Sequence, residues 1–173
     1  MALAVVNYPA LSESDFQWIQ GIRKEHDKLF YGVVDPHFTL VFPTENISLN
    51  SFTNHVKRVS SKFGSFPFIS RCATVGDSDF WDHAHVFMIP DEGFSKIVKL
   101  HNAFYKGLLE SELRLDLPFV PHIGIASDPG PERCKKIIDE LNQQDFEIKG
   151  KVEKLDIIEF EGESTKTIEQ IEL

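Results

Sequence analysis

The chain has 173 residues, 42% of them apolar and 26% charged, a size and profile that suit one globular domain, or two small lobes sharing a core, over residues 1–173. Its formal net charge of −9 argues against a long nucleic-acid duplex as partner, because such binding depends on Lys and Arg contacts to phosphates. No run approaches the roughly 18 apolar residues of a membrane span, and the two distant cysteines, Cys72 and Cys134, make neither a disulfide framework nor a CxxC metal site.

Both cysteines are expected to be buried free thiols in a cytoplasmic protein. Met1–Tyr8 lacks a basic n-region and is too short for a signal peptide; Ala2–Tyr8, apolar and ended by Pro9, predicts a strand. Ser12 caps a helix to about Asp27, with Phe16, Ile19 and Ile22 at helical spacing. Tyr31–Val34 is a short apolar connection, and Pro36 biases Asp35 toward extended geometry. His37–Phe42 follows as a strand ended by Pro43, and Ser48 caps a second helix over Leu49–Phe63. Phe66–Val75 and Ala84–Ile89 are strands separated by the turn Gly76-Asp77-Ser78-Asp79. Pro90-Asp91 opens a third helix to about Leu109, and Glu110–Pro118 is a charged connection. Phe119–Ala126 is a strand, Asp128-Pro129-Gly130-Pro131 breaks it, and a fourth helix runs to about Gln144. Strands over Phe146–Val152, Leu155–Phe160 and Thr167–Leu173 close the chain, the last turn being Gly162-Glu163-Ser164. The order is α+β, with a hint of two related halves.

Each half carries one copy of a short motif: Pro36-His37-Phe38-Thr39-Leu40 in the first, Pro121-His122-Ile123-Gly124-Ile125 in the second. On a strand, residues i and i+2 share a face. His37 and Thr39 therefore point one way, and His122, Gly124 and Ala126 share a face in the second copy, each with an oily face behind. If the two strands lie side by side, the histidines line one groove floor. Histidine titrates near neutrality, so a neutral imidazole can take a proton from water while a protonated one donates to a leaving oxygen. Neighbouring hydroxyl or N–H groups hold the charge that develops on phosphoryl oxygens. This scheme needs no metal and no cofactor.

The two His-x-Thr/Ser-apolar motifs resemble the signature of the 2H phosphoesterase superfamily, which includes 2′,5′ RNA ligase-like proteins and cyclic nucleotide phosphodiesterases. The resemblance also takes in the spacing between motifs, the helix with Arg23 and Asp27, and the strand-rich C-terminus. It implies a bilobal, pseudo-twofold arrangement of antiparallel sheets with outer helices around a central cleft. It implies His37 and His122 as acid and base and Thr39 as a phosphate ligand. Gly124 departs from the family's Thr or Ser; its backbone N–H or the Ser127 hydroxyl is a candidate substitute, the alternative being weaker phosphate binding on that side.

Other signals are weaker. His83 and His85 alternate on one strand face, and with Asp79 or Asp82 could approach a zinc site, but no further ligand sits at a typical spacing; His85 is a candidate for the cleft lining. His26, His55 and His101 fall on helices and are expected at the surface. Phe80 and Trp81 beside the polar turn are expected to pack in the core or a loop, and Lys135-Lys136 to be a solvated helix face. The reading is a monomeric, metal-independent phosphoesterase acting on a small cyclic phosphodiester of the 2′,3′-cyclic nucleotide type, or at an RNA 2′ phosphodiester. The alternatives are a catalytically weak module that binds nucleotides or RNA ends, an RNA 2′,5′ ligase, and a metal-dependent enzyme built around His83 and His85.

Overall fold

A computed structural model describes residues 2–77, 82–161 and 164–173. The polar turn at Ser78-Asp79, the aromatics Phe80 and Trp81, and Gly162-Glu163 lie outside the described residues. In chain order the elements are β1 (Ala2–Asn7), β2 (Ala10–Leu11), α1 (Glu13–His26), β3 (Phe38–Thr44), α2 (Leu49–Ser60), β4 (Phe66–Asp77) and β5 (Ala84–Glu92). Then come α3 (Phe94–Phe104), a 3-10 helix (Gly107–Glu112), β6 (Ile123–Asp128), α4 (Pro131–Asn142), β7 (Ile148–Val152), β8 (Lys154–Glu161) and β9 (Ser164–Glu172).

The helix starts follow their caps. Ser12 Oγ accepts from the Asp15 N–H and Ser48 Oγ from the Ser51 N–H, each satisfying one of the orphan donors of a first turn. The third helix begins later than its proline predicts. Pro90 stays in β5, paired with Ser70 where the β4–β5 register slips, and Gly93 makes the turn with φ +86°. A Cβ at Gly93 would sit 2.8 Å from the Phe68 Cβ, so the position requires glycine on two counts. Pro43 lies inside β3 rather than ending it; β3 is an edge strand, where a missing N–H leaves no ladder bond unmade.

Two antiparallel sheets form, one ordered β3-β1-β8-β9 and the other β2-β7-β4-β5-β6. The halves are related through them. In the first, β1, α1 and β3 place β3 at a sheet edge beside β1; in the second, β5, α3 and β6 place β6 at the other sheet's edge beside β5. The helices cross over: α1 packs on β6 and α3 on β3. Each edge strand also carries a bulge at the same place. Val5 faces Val41 and Val6 faces Thr39, skipping Leu40; Val86 faces Ala126 and Phe87 faces Gly124, skipping Ile125. Both skipped residues stand three beyond a histidine.

The main core lies between the sheets and their helices. The Phe38 and Phe68 rings meet edge-on at 5.0 Å, joining β3 to β4, with Phe52, Met88, Ile97 and Phe104 fully buried around them. His55 and His101 are buried too, against the surface expectation. The structural reason is that both bond backbone carbonyls: the His55 imidazole reaches Phe104 O at 2.7 Å, and His101 Nδ1 reaches Leu40 O at 2.9 Å. Cys134 is buried as expected, whereas Cys72 is exposed on β4. No helix among the described residues is long and apolar enough to cross a membrane.

Candidate active site

His37 and His122 do not lie within their strands; each is the residue just before one, since β3 starts at Phe38 and β6 at Ile123. Their strands are not side by side but edge different sheets. Positive charge on His37 and on His85 opposes protonation of His122, and the rings of His85 and His122 lie 6.0 and 3.5 Å from that of Phe87.

Both rings are held in the same way. His37 Nδ1 lies 2.7 Å from Asp35 O, and His122 Nδ1 lies 2.6 Å from Val120 O. A carbonyl only accepts, so each Nδ1 carries the proton and each neutral ring offers a lone pair at Nε2. The proline between anchor and histidine, Pro36 or Pro121, favours the extended backbone that precedes it. Both imidazoles are half-buried, and burial holds each down at about 4 from the usual 6.5. At His37 the Asp35 carbonyl resists that shift, the Arg23 charge adds to it, and Asp27 and Asp35 oppose it. At His122 the Val120 carbonyl resists, while the charges of His37 and His85 add to the depression.

Aromatic rings complete the setting, and the sequence reading missed both. Phe87 stacks on His122 with centroids 3.5 Å apart and planes at 12°. The ring of Tyr8 stands edge-on to His37 at 6.1 Å. Phe87 has this freedom because its neighbour is Gly76: a Cβ there would fall 2.0 Å from the Phe87 ring. The available signal was period two, since Phe87 follows His85 by two residues on one strand.

The other candidates divide. Thr39 is half-buried and faces Val6 across the ladder, on the sheet face beside His37. Gly124 faces Phe87, and a Cβ added to it meets nothing within 4 Å, so the cleft holds room for a side chain that is not there. Ala126 does not share their face: the bulge at Ile125 turns it to the buried side with Val86, because an inserted residue reverses the alternation. The same bulge puts Ser127 opposite His85, and Ser127 is already engaged, donating to Asp27 Oδ1 at 3.0 Å. In the empty site the Ser127 hydroxyl thus links the strand after His122 to the end of α1. His85 is buried, its ring 6.2 Å from Phe30 and 6.0 Å from Phe87. No three His, Cys, Asp or Glu side chains converge as a metal site among the described residues; Asp79 lies outside them.

A sequence profile of the 2′-5′ RNA ligase superfamily matches residues 11–164. A Bacillus cytotoxicus protein that carries the name phosphoesterase is 28% identical over 148 residues, covering 84% of this chain and 81% of its own length. Among solved structures, the Thermus thermophilus protein TT0787 superposes with a TM-score of 0.66 at 16% identity, over 100% of this chain and 98% of that one. Escherichia coli LigT in complex with 3′-AMP gives 0.58 at 14% identity, over 99% and 97% of the two chains. The structural matches share the fold: two antiparallel sheets with helices in a bilobal arrangement.

Proposed function

The chain belongs to the 2′-5′ RNA ligase superfamily, and from that premise we propose that it is a metal-independent 2H phosphoesterase opening a 2′,3′-cyclic nucleotide or a related RNA 2′ phosphodiester. The observation that carries the reading is the matched pair of imidazoles, each tied at Nδ1 to the carbonyl two residues back. That tie leaves both Nε2 atoms free for proton transfer, and in this reading they act on one substrate. One neutral Nε2 takes a proton from water as the water oxygen bonds to phosphorus. The other, protonated, gives its proton to the ribose oxygen as the P–O bond breaks, leaving a nucleoside monophosphate.

Both rings are neutral at pH 7 in the empty site, yet one must be protonated to act as acid. The substrate supplies the remedy: an anionic phosphodiester between the rings favours the imidazolium. The Thr39 hydroxyl and backbone N–H groups take the non-bridging oxygens. The test is hydrolysis of 2′,3′-cyclic nucleotides in EDTA by wild type, His37→Ala and His122→Ala. Loss of turnover in both variants, with circular dichroism unchanged, is the expected result; full activity in either one excludes the two-histidine mechanism.

One observation favours a second reading, a module that binds nucleotides and turns them over poorly. The hydroxyl expected beside His122 is absent, and the Ser127 hydroxyl is bonded to Asp27 instead. Escherichia coli LigT has been seen with 3′-AMP, NADP+ and ATP, and this chain is proposed to share nucleotide binding. Calorimetric binding without turnover supports the module.

A further inference from the structure

The ends of α1 and α3 hold the two histidine segments in matching ways. Asp27 and Tyr105 are the C-caps of these helices, and each cap N–H bonds the carbonyl four residues back, Arg23 O or His101 O. Arg23 donates to Val34 O, three residues before His37. His101 lies flat on Phe119, three residues before His122, with ring centroids 3.5 Å apart and planes at 4°. Each helix end then reaches the other histidine's strand. Asp27 accepts the hydroxyl of Ser127, five residues after His122. The Tyr105 hydroxyl accepts the N–H of Phe42, five residues after His37, at 2.9 Å. Each histidine is therefore held before and after by different helices.

The two ends differ in chemistry. The first uses a buried guanidinium and carboxylate, the second a cluster of rings in which His101 also meets Tyr105 at 4.8 Å and Phe42 at 6.4 Å. His101 does one thing more. Its Nδ1 donates to Leu40 O at 2.9 Å, and Leu40 is the residue that the β1–β3 ladder skips. A residue inserted at a bulge is left unpaired in the ladder, and an edge strand leaves one row of N–H and C=O groups open. His101 and Tyr105 close two of these groups, Leu40 O and Phe42 N–H, where a neighbouring strand would otherwise pair. An apolar side chain at position 101 would leave the carbonyl unmet, so packing alone does not call for histidine. Burial holds the His101 pKa below the usual histidine value, which keeps the ring neutral with its one proton on Nδ1. The α3 end is itself anchored, since His55 Nε2 on α2 donates to Phe104 O at 2.7 Å.

We propose that His101 and Tyr105 are positioning residues for the catalytic pair: His101 fixes the His37 strand through Leu40 O and the approach to His122 through Phe119, and Tyr105 secures the His37 strand at Phe42. Neither touches substrate in this role, which rests on the phosphoesterase reading. The test measures kcat and KM on adenosine 2′,3′-cyclic phosphate, in EDTA, for wild type, His101→Phe, His101→Asn and Tyr105→Phe. His101→Phe keeps a ring on Phe119 and loses the bond to Leu40; His101→Asn keeps an N–H donor one bond beyond Cγ and loses the ring. Each is expected to lower kcat about tenfold to a hundredfold, the scale of a small misplacement of a catalytic group, with KM little changed. Tyr105→Phe removes one hydroxyl from a retained ring; it is expected to lower kcat by less, and it carries the test if neither His101 variant folds. Wild-type kcat in the folded variants, or a change in KM alone, overturns the role. Nitrogen-15 spectra of the imidazoles separate this failure from failure of the hydrolytic reading. If wild type does not open the substrate, His37 signals that move in every folded variant, and His122 signals that move in His101→Asn, still support the role; signals that stay at their wild-type positions remove it.

Discussion

Ser127 donates its hydroxyl to Asp27 Oδ1 at 3.0 Å, and this bond joins the two histidine elements. Asp27 ends α1; its other oxygen receives Arg23 Nε at 3.2 Å. Arg23 Nη2 then donates to Phe30 O at 3.0 Å and Val34 O at 2.7 Å, in the loop that delivers His37. Ser127 stands on the strand that His122 opens. A single chain of buried polar contacts thus runs from one histidine strand to the other's loop, with Arg23 only 1% exposed. Because one buried guanidinium holds two carbonyls of that loop, the network fixes the loop as well as linking the lobes.

Cutting this network should be graded. Ser127→Ala removes one hydrogen bond and leaves a carboxylate oxygen short of a donor, a cost of about 1–3 kcal/mol. Asp27→Ala strips a buried guanidinium of its counter-charge and should cost about 3–5 kcal/mol. Urea unfolding measures both. A Ser127→Ala protein with wild-type stability but weakened phosphate binding would make the serine a phosphate ligand rather than a structural link.

Gly124 gives the clearest gain-of-function prediction. Its missing Cβ faces open space and its φ is not in the left-handed range, so Gly124→Ser or Gly124→Thr adds a hydroxyl beside His122 without backbone strain. A hydrogen bond to a charged phosphate oxygen contributes about 1.5–3 kcal/mol, so kcat/KM on a cyclic nucleotide should rise about tenfold or more. Thr39→Val should lower it by a similar factor. Unchanged kinetics in both variants would mean that neither position touches the phosphoryl group.

The sequence carried the chemistry better than the architecture. The two Pro-His-apolar motifs were visible because each is local, as were the serine caps of α1 and α2. The pairing of β3 and β6 with different sheets was not, since nothing in either strand specifies its partner. The bulges at Leu40 and Ile125 were equally hidden: they are register events between strands, and they decide that Ser127 rather than Ala126 looks toward His85. Pro90 misled for a local reason, because proline is at home both at a helix start and at an irregular point of a strand. His55 and His101 misled because polarity suggests the surface, while a buried carbonyl can satisfy an imidazole just as well.

Phe87 is predicted to act on catalysis through His122. Its ring covers one face of the imidazole at 3.5 Å, leaving rotation about the Nδ1 anchor as the freedom it restrains. Phe87→Leu should lower kcat about tenfold to a hundredfold, the scale of a small misplacement of a catalytic group, with a smaller change in KM. Phe87→Tyr should retain most of the rate. Gly76→Ala approaches the same ring from behind, its Cβ falling 2.0 Å from Phe87, and should mimic Phe87→Leu. A fall in KM affinity alone, at wild-type kcat, would make Phe87 a substrate contact instead.

Acid should affect turnover and stability in opposite directions. In the free enzyme both imidazoles titrate at about 4, and activity needs one protonated and one neutral ring. The active fraction therefore grows as pH falls from 7 toward 5, so kcat/KM should peak below pH 6, and the kcat optimum should lie higher because bound phosphate draws the rings' pKa values up. Stability follows from the same shifts. Above about pH 6.5 the folded and unfolded chains both hold neutral imidazoles, and the two histidines leave stability independent of pH. As pH falls from about 6.5 to 4, the unfolded chain takes up protons that the folded one refuses, so stability drops by up to about 1.4 kcal/mol per pH unit for each histidine. Urea midpoints at pH 7.5, 6 and 5 measure the slope. His37→Ala and His122→Ala should each flatten it, because the removed ring no longer binds a proton in the unfolded chain; a slope unchanged by both substitutions would place the acid-sensitive groups elsewhere.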